Sequence, residues 1–424
     1  MNHMKKAPHL SAALANASIL LYIIWLLLPA VQTTGRAVSG LACVALFGVS
    51  VVMDAEYLKK NWIALLGRAA CAAAMPVFLR LFLERGGTNF PGFYVQNAML
   101  FFPLVFAGYA REKGDERLWR FVKWVLLAAV CITIMTTIGW LIQGMLRGGR
   151  IYAYSRSLGY AGDVNPAYLK ELMLRNIGGY DFVYAMVIAM PFTCIGIASC
   201  QGWKRAGFGA LLAAQMIMIV LSQYTYAMLY AAAILFVECA ALIIRRVSKG
   251  KVSLGWSLVC GALPLVLVLL LMQPLSMLAA QVCRMLGMNN FAHSFEQLLS
   301  AFQGGGEMAA DSRLAYYLTA LRGFAASPLV GSLSGGGKML SYHSEVFDLL
   351  SGVGLLGTAV FTAMLWLMGR GMLKGARKSP HFAHICISLA ALIVTATLGT
   401  VFYSRDIFCV LCIGILLVLE KTRG

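Results

Sequence analysis

Residues 206–244 read AGFGALLAAQMIMIVLSQYTYAMLYAAAILFVECAALII, and this run decides the fold class. Its one charged residue is Glu238. A helix crosses the hydrocarbon of a bilayer with about 20 apolar residues, so the run is too long for one crossing. Ser222-Gln223-Tyr224-Thr225 interrupts it with polar side chains and predicts a tight turn between two spans. Two spans back to back make the chain polytopic.

The rest of the sequence agrees. Of 424 residues, 60% are hydrophobic and 12% charged, with mean hydropathy +0.77. Soluble globular chains carry about 25% charged residues. A soluble enzyme, a disordered chain and a secreted disulfide scaffold are therefore excluded. The fold class is all-α: a polytopic integral membrane protein with about 12 transmembrane helices. The spans are read at 11–30, 37–53, 61–83, 91–110, 120–142, 180–200, 206–222, 225–244, 252–273, 344–368, 381–402 and 407–420. Residues 1–424 form a single membrane domain. Two long extracytoplasmic loops, 143–179 and 274–343, interrupt it.

Lysine and arginine set the orientation. With the N-terminus inside, every inner segment holds at least two, from Lys5/Lys6 through Lys59/Lys60 to Lys421/Arg423. The short outer turns hold Arg36, Arg85 and Arg405. Both termini are thus read as cytoplasmic, and much of the +18 net charge is this signal rather than a nucleic-acid footprint. No small-residue cleavage site follows the first run, which is read as a retained span. The 11 cysteines fall almost entirely in apolar runs; Cys283 alone sits in a long loop, and Cys409 and Cys412 read as small packing residues. The second loop carries apolar-periodic pieces near 276–287, 292–303 and 311–326, read as short amphipathic helices. Asp311 is a candidate N-cap, and Gly304–Gly306 and Gly335–Gly337 are breakers.

The long loops oppose the charge rule. The first carries Arg147, Arg150, Arg156, Lys170 and Arg175; the second Arg284, Arg313, Arg322 and Lys338. Guanidinium grips phosphate through a planar fork of donors and stays charged at any relevant pH. The set reads as an external anion site; lipid headgroups or loop carboxylates are the competing partners for any single arginine. His343 lies just before a span, in Tyr342-His343-Ser344-Glu345-Val346-Phe347-Asp348, where an imidazole is suited to act as a general base. A hydrogen-bonded structural histidine is the alternative. Ser344 and Asp348 are i,i+4 neighbours on that helix. No metal site is read: His381 and His384 lack a third ligand, and the seven aspartates are isolated, with no paired carboxylates to hold a cation on a diphosphate. No phosphate loop, nucleophile elbow or dinucleotide fingerprint occurs. Ionisable residues inside spans are Arg68, Arg80, Glu238 and Asp348. Arg80 and Glu84 read as a pair, and Arg68 and Glu238 as snorkelling toward a span end.

Residues 311–357 resemble the O-antigen ligase and O-antigen (capsule) polymerase superfamily. The resemblance rests on Asp311-Ser312-Arg313, Tyr316-Tyr317, Ala320-Leu321, Phe324 and Ser327-Pro328-Leu329-Val330-Gly331. It continues through Gly335-Gly336-Gly337, His343-Ser344, Asp348-Leu349-Leu350 and Gly354-Leu355-Leu356-Gly357. Weaker matches are Arg175 with Gly178-Gly179-Tyr180 and Leu221-Ser222-Gln223, where Tyr224-Thr225-Tyr226 replace the family's Ser-Arg. The resemblance implies a bacterial cytoplasmic-membrane glycosyltransferase. Its donor is a glycan on undecaprenyl diphosphate and its acceptor a sugar, with a flippase and a chain-length regulator as partners beside membrane lipids. Transfer is cofactor-free, metal-independent and inverting. Carried over residue by residue, His343 is the base, and Arg313, then Arg175 and Arg322, hold the diphosphate. Tyr317, Ser344 and Asp348 line the substrate site. Arg313 and Arg322 are nine positions apart, half a turn out of phase on a straight helix. Polymerisation of repeat units leads; ligation to a final acceptor, transport of lipid-linked sugars and a non-catalytic scaffold are the alternatives.

Overall fold

The computed structural model describes residues 2–32, 36–83, 94, 99–113, 116–148, 166–222, 224–247, 272–285, 292–293, 295–296, 313–334, 340–377, 379–399 and 404–420. These residues are helical, without a strand among them. Six of the described helices are long and apolar enough to cross a membrane: Leu10–Leu27, Ala55–Leu79, Phe121–Gly144, Tyr180–Ser199, Gly202–Ser222 and Glu345–Ala376. Val38–Met53, Tyr226–Ala241 and Phe382–Leu398 are shorter apolar helices. The chain is a helical membrane protein. The run that opened the reading divides as expected, one helix ending at Ser222 and the next starting at Thr225. The reading at 252–273 lies almost wholly outside the described residues, as do Asp311, Arg150, Arg156, Lys338 and both glycine triplets.

The described residues gather into two compact units. The first holds 1–132, 311–380 and 392–424; the second holds 133–310 and 381–391.

In the first unit the Asn2–Leu27 and Arg36–Met53 helices pack together. Ser11 and Ser50 each donate to the other's carbonyl at 2.8 Å, and Ser18 donates to the Cys43 carbonyl at 2.6 Å. One number rises by the amount the other falls, so the helices run antiparallel. Such hydroxyl bonds add to the packing of helices in lipid, where apolar burial gives little drive. Tyr22 and Phe102 lie 5.1 Å apart, and Tyr22 donates to the Met99 carbonyl at 2.8 Å. Arg68 pairs with Glu112, which also accepts from Tyr57. Gly108 leaves the room, since a side chain there would run into the Arg68 guanidinium. Lys113 pairs with Asp54 beside this group.

The centre of the first unit is the Glu345–Ala376 helix. It packs against Ala55–Leu83, Phe102–Lys113, Arg313–Ala326 and Arg405–Glu420. At Gly354 its backbone leaves the helical region, with φ +64°. Cys409 and Cys412 are fully buried, as packing residues would be.

In the second unit Tyr180–Ser199 packs between Gly202–Ser222 and Thr225–Val247. Phe182 through Met190 are all buried, so this helix is apolar all round. Glu238 is also paired. It is buried, with Oε2 2.6 Å from His384 Nδ1, itself buried at the start of Phe382–Leu398. The Met272–Met285 helix turns Ala280 and Cys283 toward Ala292 and Phe295, packing on Met228 and Leu229. Arg284 beside this cluster pairs with Glu296.

Candidate functional site

His343 is held in place by the residues on either side of it. Ser341 Oγ accepts the backbone N–H groups of His343 and Ser344 at 3.0 and 2.9 Å. Ser344 caps the following helix by accepting the Phe347 N–H at 3.2 Å. A serine at this position meets one of the donors that the first helical turn leaves unpaired. Asp348, one turn in, reaches back and accepts the Ser341 N–H on Oδ1 at 2.6 Å. Ser341, Ser344, Glu345 and Asp348 are all fully buried. Between these anchors Tyr342 adopts φ +55°, a left-handed conformation that a side-chain-bearing residue keeps only under constraint. The strain turns the chain so that Tyr342 projects outward, while His343 stays half-buried.

The Arg313–Ala326 helix supplies the other wall. The Tyr316 ring lies 4.9 Å from the His343 ring. Tyr317 packs edge-on against Phe347 at 5.6 Å and donates its hydroxyl to the Leu398 carbonyl at 3.1 Å. That carbonyl ends the Phe382–Leu398 helix and has no further turn to bond to. Glu345 N–H reaches the Gly399 carbonyl at 3.2 Å alongside. Ala320 is fully buried on the same face.

The helix is unbroken from Arg313 to Ala326, so residue phase follows from position. Arg313 begins three and four residues before Tyr316 and Tyr317, on their face. Arg322 lies half a turn away from Arg313 and is exposed. Of the two arginines, the backbone brings Arg313 to the histidine's side. Its side chain lies outside the described residues.

The Ser327–Gly331 segment ends this helix and meets the break at Gly354. Gly331 also has φ +64°, and its N–H closes the turn on the Ser327 carbonyl at 2.9 Å. The amides of Leu355 and Leu356, whose helical partners the break removes, donate to the Pro328 and Leu329 carbonyls at 2.8 and 3.0 Å. Ser332 Oγ donates to the Gly352 carbonyl at 3.2 Å. The two stretches quoted for the resemblance, Pro328–Gly331 and Gly354–Gly357, thus touch backbone to backbone.

Arg175 belongs to the second unit. It follows the Pro166–Leu174 helix, and Asn176 next to it has φ +59°. Asn176 N–H bonds the Met173 carbonyl at 2.9 Å and Ile177 N–H the Leu172 carbonyl at 3.0 Å. Both bonds close the helix end, and Leu172 and Ile177 pack together beneath it. A cation is favoured at such an end, and Arg175 also meets Glu171 at 2.6 Å while remaining exposed. A row of threonines holds the loop. Asn176 Nδ2 donates to Thr133 Oγ1 at 2.9 Å, Thr136 Oγ1 to the Asn176 carbonyl at 2.6 Å, and Gly178 N–H to Thr137 Oγ1 at 2.8 Å. Beyond the loop, Tyr180 packs at a tilt against Tyr184 at 4.6 Å and meets Tyr224 edge-on at 5.1 Å. Burial, with Tyr180 and Asp181 adding, raises the Tyr224 phenol well above the ordinary tyrosine range.

The sequence candidates thus fall in two units. His343, Ser344, Asp348, Tyr317 and the Arg313 backbone come together in the first unit. Ser344, Asp348 and Tyr317 are engaged in building the wall around the imidazole. Ser341 and Tyr316 complete that wall, and sequence reading gave neither a role; a Ser-x-His-Ser string before a span was the available signal for Ser341. Among the described residues no three histidine, cysteine, aspartate or glutamate side chains gather as a metal site would require. Compared with known proteins, the chain matches no family model and none of the curated proteins.

Proposed function

We propose that the protein is a glycosyltransferase of the cell-envelope type that polymerises lipid-linked oligosaccharide repeat units on the extracytoplasmic side of a bacterial cytoplasmic membrane, with both termini inside. The observation that carries this reading is the half-buried imidazole of His343, whose backbone N–H is bound by Ser341 at the head of a membrane helix and whose ring is faced by Tyr316. A base must keep one orientation toward the proton it removes, and this one has an anchored backbone and a ring packed against Tyr316.

In the reaction an acceptor sugar hydroxyl gives its proton to a ring nitrogen of His343. Its oxygen attacks the anomeric carbon of the donor glycan from the face opposite the leaving group. The anomeric carbon–oxygen bond to undecaprenyl diphosphate breaks, the diphosphate leaves with the electron pair, and the configuration inverts. Arg313, on the histidine's side of its helix, meets the charge that develops on the diphosphate.

The test is a strain lacking the native gene, complemented with wild type or His343→Ala. Surface-glycan length and the pool of lipid-linked single repeats are compared. Loss of long chains with single repeats retained supports the polymerase. Long chains that accumulate on the lipid carrier without reaching a final acceptor identify a ligase. A wild-type pattern from a variant present in the membrane overturns the base.

A further inference from the structure

We propose that the crossing of Gly331 over Gly354 is a positioning device: it sets the distance of the Arg313–Ala326 helix, and with it Tyr316 and Arg313, from His343. The inference rests on the reading of His343 as the base, but its geometric half does not.

Two backbones meet here with no side chain between them. A methyl carbon on Gly331 would stand 2.5 Å from the Gly352 carbonyl carbon and 2.6 Å from Gly354 N. One on Gly354 would stand 2.6 Å from Gly331 N and closer still to the Leu329 carbonyl. Backbone on both sides cannot swing away as a flexible side chain would. Both residues also hold φ +64°, which only glycine adopts freely. The contact is thus as close as two chains can come, and it is double-ended. The broken helix lends the amides of Leu355 and Leu356, and the turn lends the carbonyls of Pro328 and Leu329. Buried backbone groups require partners, so neither side can let go alone.

The crossing lies at the end of the Tyr316 helix, while His343 stands at the head of the broken one. The two helices lean on each other at two places. One is the Tyr316–His343 and Tyr317–Phe347 ring contacts, and the other is the glycine crossing. Ring contacts tolerate sliding, whereas a backbone crossing with paired hydrogen bonds does not. The crossing therefore fixes the spacing and the rings fill it.

The test uses the full-length protein in membranes, with Cys283 replaced by Ser. His343→Cys reports the exposure of position 343 to a membrane-impermeant maleimide. Into this background go Gly331→Ala, Gly354→Ala, the milder Ser332→Ala, and Gly369→Ala as a control on the same helix, where a methyl group meets open space. In the parallel His343 background, turnover is measured on purified lipid-linked repeats. Gly331→Ala and Gly354→Ala should raise labelling several-fold, Ser332→Ala less, and Gly369→Ala not at all. The first two should lower kcat by about 100-fold, as a misplacement of about 1 Å does, with KM little changed and the wild-type pH profile retained. Labelling that stays at the control level in Ser332→Ala and both glycine variants overturns the crossing. Raised labelling with undiminished kcat overturns its role in the reaction. If His343→Ala itself turns over normally, the base reading falls while the labelling still decides the geometry.

Discussion

At the scale of single residues, the histidine loop is built from short polar side chains that answer backbone groups. Asp348 illustrates the cost. Its carboxylate takes the buried Ser341 N–H, so Asp348→Ala leaves that donor without its partner and should destabilise the fold by about 1–3 kcal/mol. Thermal unfolding of detergent-solubilised protein checks this, and Asp348→Asn, which keeps an acceptor oxygen, should recover part of it. His343→Ala should instead leave the unfolding temperature close to wild type and lower turnover by about 100- to 10,000-fold, the usual share of a general base. Asn176 separates conformation from hydrogen bonding. Asn176→Ala keeps the left-handed backbone with a residue that resists it by about 1–2 kcal/mol, whereas Asn176→Gly relieves that strain and should unfold at a higher temperature than Asn176→Ala. Tyr224 gives a pH dependence of known sign. Its phenol ionises later in the folded chain than in the unfolded one. Its contribution is therefore fully present below about pH 10, the ordinary tyrosine value, and is lost as pH rises beyond it toward the folded value. The stability advantage of wild type over Tyr224→Phe should shrink on alkaline titration from that point.

At the scale of elements, the sequence made some features legible and hid others. Apolar runs of sufficient length announced the helices, and the polar string at 222–225 announced the turn between two of them, because lipid leaves a chain no other way to satisfy its backbone. The i,i+3 and i,i+4 spacing placed Arg313 beside Tyr316 and Tyr317 once the helix proved unbroken. Two charges inside spans have partners that the sequence did not reveal, since each partner comes from another helix. Glu112 takes Arg68 across two helices, and His384 takes Glu238 from far along the chain. The glycine crossing was invisible for a similar reason. A glycine inside an apolar span reads equally as packing, flexibility or close approach, and only the partner backbone tells them apart. His343 was legible as a histidine just before a span, but the device that holds its backbone, Ser341 answered by Asp348, depends on a turn that Tyr342 makes against its own preference.

At the scale of the whole molecule, the break at Gly354 carries information about depth. The Glu345–Ala376 helix is about 48 Å long at the standard rise of a helix, well beyond the roughly 30 Å of bilayer hydrocarbon. The portion after the break, from Leu355 to Ala376, measures about 33 Å, with Arg370 and Lys374 near its inner end. Large apolar side chains left exposed on this helix begin at Leu355 and Leu356 and continue through Val360, Trp366 and Leu367. The neighbouring turn adds Leu329 and Val330, exposed at the same level. The bilayer hydrocarbon is therefore expected to begin near the break, at the level of the two glycines. The short upper piece, about 15 Å long with His343 at its tip, is then expected in the headgroup layer. A spin label at position 366 should be relaxed by oxygen dissolved in the bilayer, and one at position 343 by a water-soluble nickel chelate. A sugar carried on a lipid diphosphate keeps its phosphates in that same layer. The imidazole would then meet the reacting bond without lifting its carrier out of the membrane or drawing the sugar into it.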